Sequence, residues 1–124
     1  MRLKHLILAA ALLTGSGLAF AQEKAGPNGG QIVDVKGHNV EFTVKDKEIV
    51  LFLTDGKSKP ITSKGVSGRV VILDSGKQIT ADLAPVEPNV LSAKLEAAPA
   101  AGAKVVVSAK LSDGHELQAR FVTK

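Results

Sequence analysis

The chain has no Cys, Trp or Tyr, and its single Met is the first residue. Without Cys, thiol redox chemistry, thiolate metal centres and bracing disulfides are excluded, so the fold must hold by core burial and hydrogen bonding. Four Phe make up the whole 3% aromatic share of the 124 residues. No stacking platform for bases or sugars can be built from so few rings, and the interior must be made of Val, Ile, Leu and Ala. The length bounds the chain to one small domain, too small for most enzymes. Twelve Gly and 5 Pro are scattered in short turn-like clusters, which fits neither collagen nor long-range disorder.

What is present begins with a leader. Arg2 and Lys4 form a basic start, residues 6–13 an apolar core, and Ala19-Phe20-Ala21 a small-x-small cleavage site. This is the pattern of a secretory signal peptide over residues 1–21, leaving residues 22–124 as the mature domain in the periplasm. The apolar stretch is broken by Thr14, Gly15, Ser16 and Gly17, short of the roughly 20 apolar residues that a spanning helix needs, so no membrane insertion is expected after cleavage. Loss of Arg2 and Lys4 takes Lys plus Arg from 16 to 14 against 12 Asp plus Glu, a net charge of +2. With signs interleaved as in Lys45-Asp46-Lys47-Glu48, the mature chain has no electrostatic footprint for nucleic acid.

Apolar residues of the mature region alternate with period two almost throughout, which predicts an all-β chain. Strands are expected at 32–35, 40–44, 49–53, 69–73, 78–83, 90–95, 104–111 and 115–122, joined by turns such as Asp74-Ser75-Gly76-Lys77 and Ser112-Asp113-Gly114. The segment 49–53 is apolar on both faces, the mark of a central strand. Lys59-Pro60 interrupts regular pairing because Pro lacks the amide donor. The Ala-rich tract at 97–103 is expected to cross from one sheet to another. Seven to eight strands at this spacing predict an antiparallel Ig-like, Greek-key β-sandwich, with a small barrel as the alternative.

The candidate chemistry is sparse. Ser112, Asp113 and His115 contain the letters of a nucleophilic triad, but neighbours in one tight turn cannot serve as nucleophile, base and orienter toward a common atom. Gly26-Pro27-Asn28-Gly29-Gly30 lacks the Lys-Ser/Thr of a phosphate-binding loop. No paired carboxylates fall in an apolar setting, and an enzyme is not expected. What remains is metal. His38 and His115 each follow or adjoin a Gly at a predicted hairpin tip, and tips at one end of a sandwich can meet. With Glu41 as the carboxylate, His38, Glu41 and His115 could hold a divalent transition ion, Cu(II) or Zn(II). Exposed, unligated histidines are the plainer reading of the same positions. Thioether capture of Cu(I) has no ligand once Met1 leaves, and Gln22-Glu23-Lys24 offers no amino-terminal Cu(II) clip.

The runs Gly26-Pro27-Asn28-Gly29-Gly30, then Gly37-His38-Asn39-Val40-Glu41-Phe42, then Leu53-Thr54-Asp55-Gly56-Lys57 with Pro60 and Ser67-Gly68, resemble a small exported β-domain. That domain is the module associated with periplasmic adaptor proteins of heavy-metal resistance-nodulation-division efflux pumps. The resemblance implies a binding or accessory role in metal handling, with an efflux adaptor or another envelope protein as partner. The residues themselves leave open a protein-interaction module with no metal role, using a sheet edge or the two-sided apolar strand at 49–53.

Overall fold

The computed structural model describes residues 24–124. The leader expected over residues 1–21 lies outside the described residues. Within them the chain is all-β and antiparallel, with no helix and nine strands: β1 (Lys24–Ala25), β2 (Gln31–Val35), β3 (His38–Lys45), β4 (Glu48–Asp55), β5 (Ser67–Asp74), β6 (Lys77–Val86), β7 (Val90–Lys94), β8 (Lys104–Lys110) and β9 (Glu116–Val122). No helix of the described residues is long and apolar enough to cross a membrane.

The turns follow from local chemistry. Lys36 and Gly37, at φ 54° and 82°, join β2 to β3, and Ser75 and Gly76, at 52° and 83°, join β5 to β6. Two successive positive φ values make the tight hairpin turn whose twist matches that of the flanking strands. The eight strands expected from alternation all form, and a short β1 is added ahead of the Gly26–Gly30 loop. β4 is indeed central, between β3 and β7. Ile49, Leu51 and Leu53 lie in the core while Val50 and Phe52 are half-buried on the outer face.

The strand order is β1-β2-β3-β4-β7-β6-β5-β8-β9, a single hydrogen-bonded sheet. Two separately packed sheets were expected, and the difference lies in β6. Its ten residues exceed the expected strand: the first part pairs with β5 up to Leu83↔Gly68, and Ala84, Pro85 and Val86 pair with β7. One strand thus serves both halves, and the sheet curls instead of splitting. The connection from β4 to β5 first turns back along the end of β4, where Pro60 bridges Thr54. It is held by the fully buried Ser63, whose hydroxyl donates to the Val86 carbonyl at 2.8 Å. The Ala-rich tract carries the chain from β7 in one half to β8 in the other.

Curling brings the inner faces together around Val40, Phe42, Ile49, Leu51, Leu53, Val70, Ile72, Leu91, Val105, Val107, Leu117, Ala119 and Phe121. It also brings β2 and β3 up to β9, at the opposite end of the strand order. No ladder joins β2 to β9. Side chains bridge them: Gln31 Nε2 donates to the Val122 carbonyl at 2.7 Å, and Phe42 stacks on Phe121 with centroids 4.8 Å apart.

Candidate metal centre

Two inward rows of side chains run to the same end of this seam. On β3 the residues facing the core alternate as Val40 and Phe42, and His38 continues that row to the strand's first position. On β9 the inward residues are Leu117, Ala119 and Phe121, and His115 continues their parity one residue before the strand. Period-two alternation therefore aims both imidazoles along the core-facing side, where the core runs out and solvent begins. Their ring centroids lie 5.7 Å apart with planes at 53°.

The local turns hold each ring. The β8–β9 tip is closed by Leu111 N–H donating to the His115 carbonyl at 2.8 Å and Gly114 N–H to the Leu111 carbonyl at 3.0 Å. Within it Asp113 makes an Asx-type turn: Oδ1 accepts the His115 backbone N–H at 2.9 Å and Oδ2 contacts His115 Nδ1 at 2.8 Å. The hydrogen bond from the His115 backbone, then that from its ring, hold the Asp113 carboxyl below the usual carboxylate range, with the nearby imidazoles adding to the effect. His38 Nδ1 lies 3.3 Å from the Val35 carbonyl across the β2–β3 turn.

One ligand atom from each of His38, Asp113 and His115 lies within 4.8 Å of the others. His38 is half-buried, and the side chains of His115 and Asp113 are 68% and 52% exposed. Two imidazole nitrogens and a carboxylate oxygen suit a borderline divalent ion. An open groove of about 1040 Å³ borders this end of the sheet; its lining includes Val35 and Lys36, beside the His38 turn, and Glu116, beside His115. Among the described residues the hydrogen-bond contacts of the two imidazoles are to the Val35 carbonyl and the Asp113 carboxylate.

No protein-family model, curated protein or solved structure matches this chain. The residues of the site therefore carry the functional reading by themselves.

The structure brings together the two histidines singled out in the sequence and separates them from the third candidate. Glu41 has the opposite parity from His38 and faces the other side of β3. Its carboxylate is buried, 3% exposed, and accepts from Asn28 N–H at 2.8 Å, Asn28 Nδ2 at 3.0 Å and Gly30 N–H at 2.9 Å. The carboxylate beside the imidazoles is that of Asp113 instead. Glu41 organises the Gly26-Pro27-Asn28-Gly29-Gly30 loop, in which Gly26 N–H also donates to the Gly30 carbonyl at 2.8 Å. A Cβ on Gly26 would collide with the Glu41 carboxyl group, and one on Gly30 with the Phe42 carbonyl oxygen. The Gly-rich run is thus a close-approach loop around the buried carboxyl group of Glu41. Asp113 was legible as a turn residue; its spacing two positions before His115, with Gly114 between, is the signal that marks it as the partner of that ring.

Proposed function

We propose that this chain is a non-enzymatic periplasmic binding protein that takes up a divalent transition metal, Cu(II) or Zn(II), at the His38–His115 end of its sheet. In this reading it works as an accessory to metal handling or efflux, with an efflux adaptor or another envelope protein as partner. The observation that carries the proposal is the convergence of His38, Asp113 and His115, from two separate hairpin ends, within 4.8 Å. The secretory pattern of residues 1–21 supports the compartment. The absence of Cys, and of Met after the leader, leaves imidazole and carboxylate as the ligands on offer. Calorimetric titration of the exported protein with Cu(II), Zn(II) and Ni(II) tests it, beside a His38→Ala/His115→Ala double variant. Binding of one ion by the wild type and flat traces for the variant are expected; a flat wild-type trace for all three ions ends the metal reading.

The proposal extends to the finer architecture, an Ig-like, Greek-key sandwich with β6 shared by both layers. Its support is the local order β8-β5-β6-β7, in which three hairpin-linked strands are followed by one that returns beside the first.

A second reading, a protein-interaction module without a metal, is favoured by one feature. Leu73 and Val122 are 47% and 45% exposed and flank Lys104 in neighbouring ladder positions on the outer face. If that face is the contact surface, Leu73→Lys/Val122→Lys abolishes capture of a specific envelope partner, while the histidine double variant does not.

A further inference from the structure

The two imidazoles share a feature beyond proximity. Each has its Nδ1 turned toward an oxygen that can only accept: Asp113 Oδ2 at 2.8 Å for His115, and the Val35 carbonyl at 3.3 Å for His38. An ionised carboxylate and a backbone carbonyl carry no proton to give, so Nδ1 must be the donor in both contacts. A neutral imidazole with its proton on Nδ1 presents its lone pair at Nε2. The short Asp113 contact favours the tautomer of His115 that exposes Nε2, and the longer Val35 contact biases His38 the same way.

Asp113 is engaged twice with His115, Oδ1 on the backbone N–H at 2.9 Å and Oδ2 on the ring. To act as a ligand it would have to release one of these bonds, and release of the ring bond would free His115 to rotate. A carboxylate that accepts from the non-ligating nitrogen of a metal-bound histidine fixes its tautomer and orientation and raises its basicity. The geometry of Asp113 is of this kind.

We infer that a divalent ion is held through Nε2 of His38 and Nε2 of His115, that Asp113 is a positioning residue and not a ligand, and that the remaining positions of a four-coordinate ion stay open to ligands from outside the chain. The inference rests on the metal reading above and specifies its architecture. Two protein nitrogens give half of a tetrahedral shell, fewer than the three that catalytic zinc sites supply and the four of structural ones. Such a half-shell, exposed beside an open groove, binds its ion reversibly and can pass it to a partner that offers further nitrogen or oxygen donors.

The test is long-range proton–nitrogen correlation NMR of the imidazole rings in the exported protein, without and with Zn(II), for the wild type, Asp113→Asn and Asp113→Ala. In the metal-free wild type His115 is expected as the Nδ1–H tautomer, and Zn(II) is expected to shift the Nε2 resonances of His38 and His115. Asp113→Ala is expected to move His115 toward the Nε2–H tautomer and to weaken Zn(II) binding about 10- to 100-fold. Asp113→Asn, which keeps an acceptor oxygen and the turn, is expected to fall between. Added free imidazole should join the ion on the wild type without displacing it, as seen by an added resonance shift at constant stoichiometry.

Zn(II) at Nδ1 of either ring overturns the inference while leaving the metal reading intact. So does a loss of binding in Asp113→Ala equal to that in His115→Ala with the His115 tautomer unchanged, because Asp113 would then be a ligand. Absence of Zn(II) and Cu(II) binding to the wild type ends both readings.

Discussion

Phe42 on β3 lies almost flat on Phe121 of β9, with centroids 4.8 Å apart and planes 17° from parallel. These strands share no hydrogen-bond ladder, so the stack and the Gln31–Val122 bond hold the two ends of the curled sheet face to face. His38 and His115 extend the same inward rows, and their rings meet at 5.7 Å between centroids at one end of this seam.

Phe42→Leu and Phe121→Leu should each lower stability, and a double-mutant cycle should give a coupling of about 0.5–1.5 kcal/mol, the range of aromatic pairs in contact. Urea unfolding of the four proteins measures it. A coupling near zero would mean that the seam is held elsewhere. Phe121→Ala should cost about 3–5 kcal/mol through the cavity it leaves.

Glu41→Ala removes the acceptor of three hydrogen bonds, two of them from backbone donors of a mostly exposed loop. The expected cost is about 1–3 kcal/mol, with Glu41→Gln less severe because the amide oxygen still accepts. Zn(II) affinity of the folded fraction should stay at its wild-type value, since this carboxylate faces away from the imidazoles. Calorimetry on both variants separates loop integrity from ligation.

Glycine substitutions should differ by mechanism. Gly30→Ala sets a Cβ against the Phe42 carbonyl oxygen, which cannot move without breaking the β2–β3 pairing, and should destabilise by about 1–3 kcal/mol. Gly76→Ala, at φ 83° with open space around it, should cost only the conformational strain, about 1 kcal/mol. Thermal midpoints of the two variants rank them directly; the reverse order would contradict the close-approach role of Gly30.

Asp55 shows how pH acts on a turn of this fold. Its Oδ1 accepts from Lys59 N–H at 2.9 Å and Lys57 N–H at 2.8 Å, and these bonds hold its carboxyl below the ordinary aspartate value. A lowered folded-state pKa means stability that is present above the unfolded value, about 3.9, and lost as pH falls through the folded value. Asp55→Asn, which cannot titrate, should flatten part of the decline in thermal midpoint below about pH 4. Unchanged acid limbs in variant and wild type would show that the turn does not contribute.

Ligand removal gives a further measurement. An ion at one hundred times its Kd adds about 2.7 kcal/mol to the folded state, which for a domain of this size raises the thermal midpoint by about 10–20 °C. The rise should vanish with chelator and in His38→Ala/His115→Ala. A rise that persists in the double variant would place the ion elsewhere.

Much of the local structure was legible in the chain. Alternation at Val40-Phe42-Val44 and Leu117-Ala119-Phe121 reveals strands and their inner faces because burial on one side of a pleat demands period two. Asp74-Ser75-Gly76-Lys77 and Lys36-Gly37 announce hairpins through residues that tolerate positive φ. The placing of β7 between β4 and β6 was not legible, nor was the extension of β6 through Pro85. Pairing between distant strands depends on crossovers that carry no local signal. Glu41 illustrates the limit most clearly. Its letter suggests a ligand, yet its parity sends it to the outer face, where the glycine-rich loop folds down to bury it.

The amino-acid sequence by itself determined that this domain is all-β, that it has no sulfur ligand once its expected leader is removed, and that both remaining histidines fall at bends. These follow from composition and short-range periodicity. Only the tertiary structure decided that the two bends meet, that Asp113 and not Glu41 stands beside the rings, and that β6 makes one curled sheet out of two halves. The reason is that packing of the inner faces, in which Phe42 stacks on Phe121, sets which strand ends come together, and no residue encodes that meeting alone.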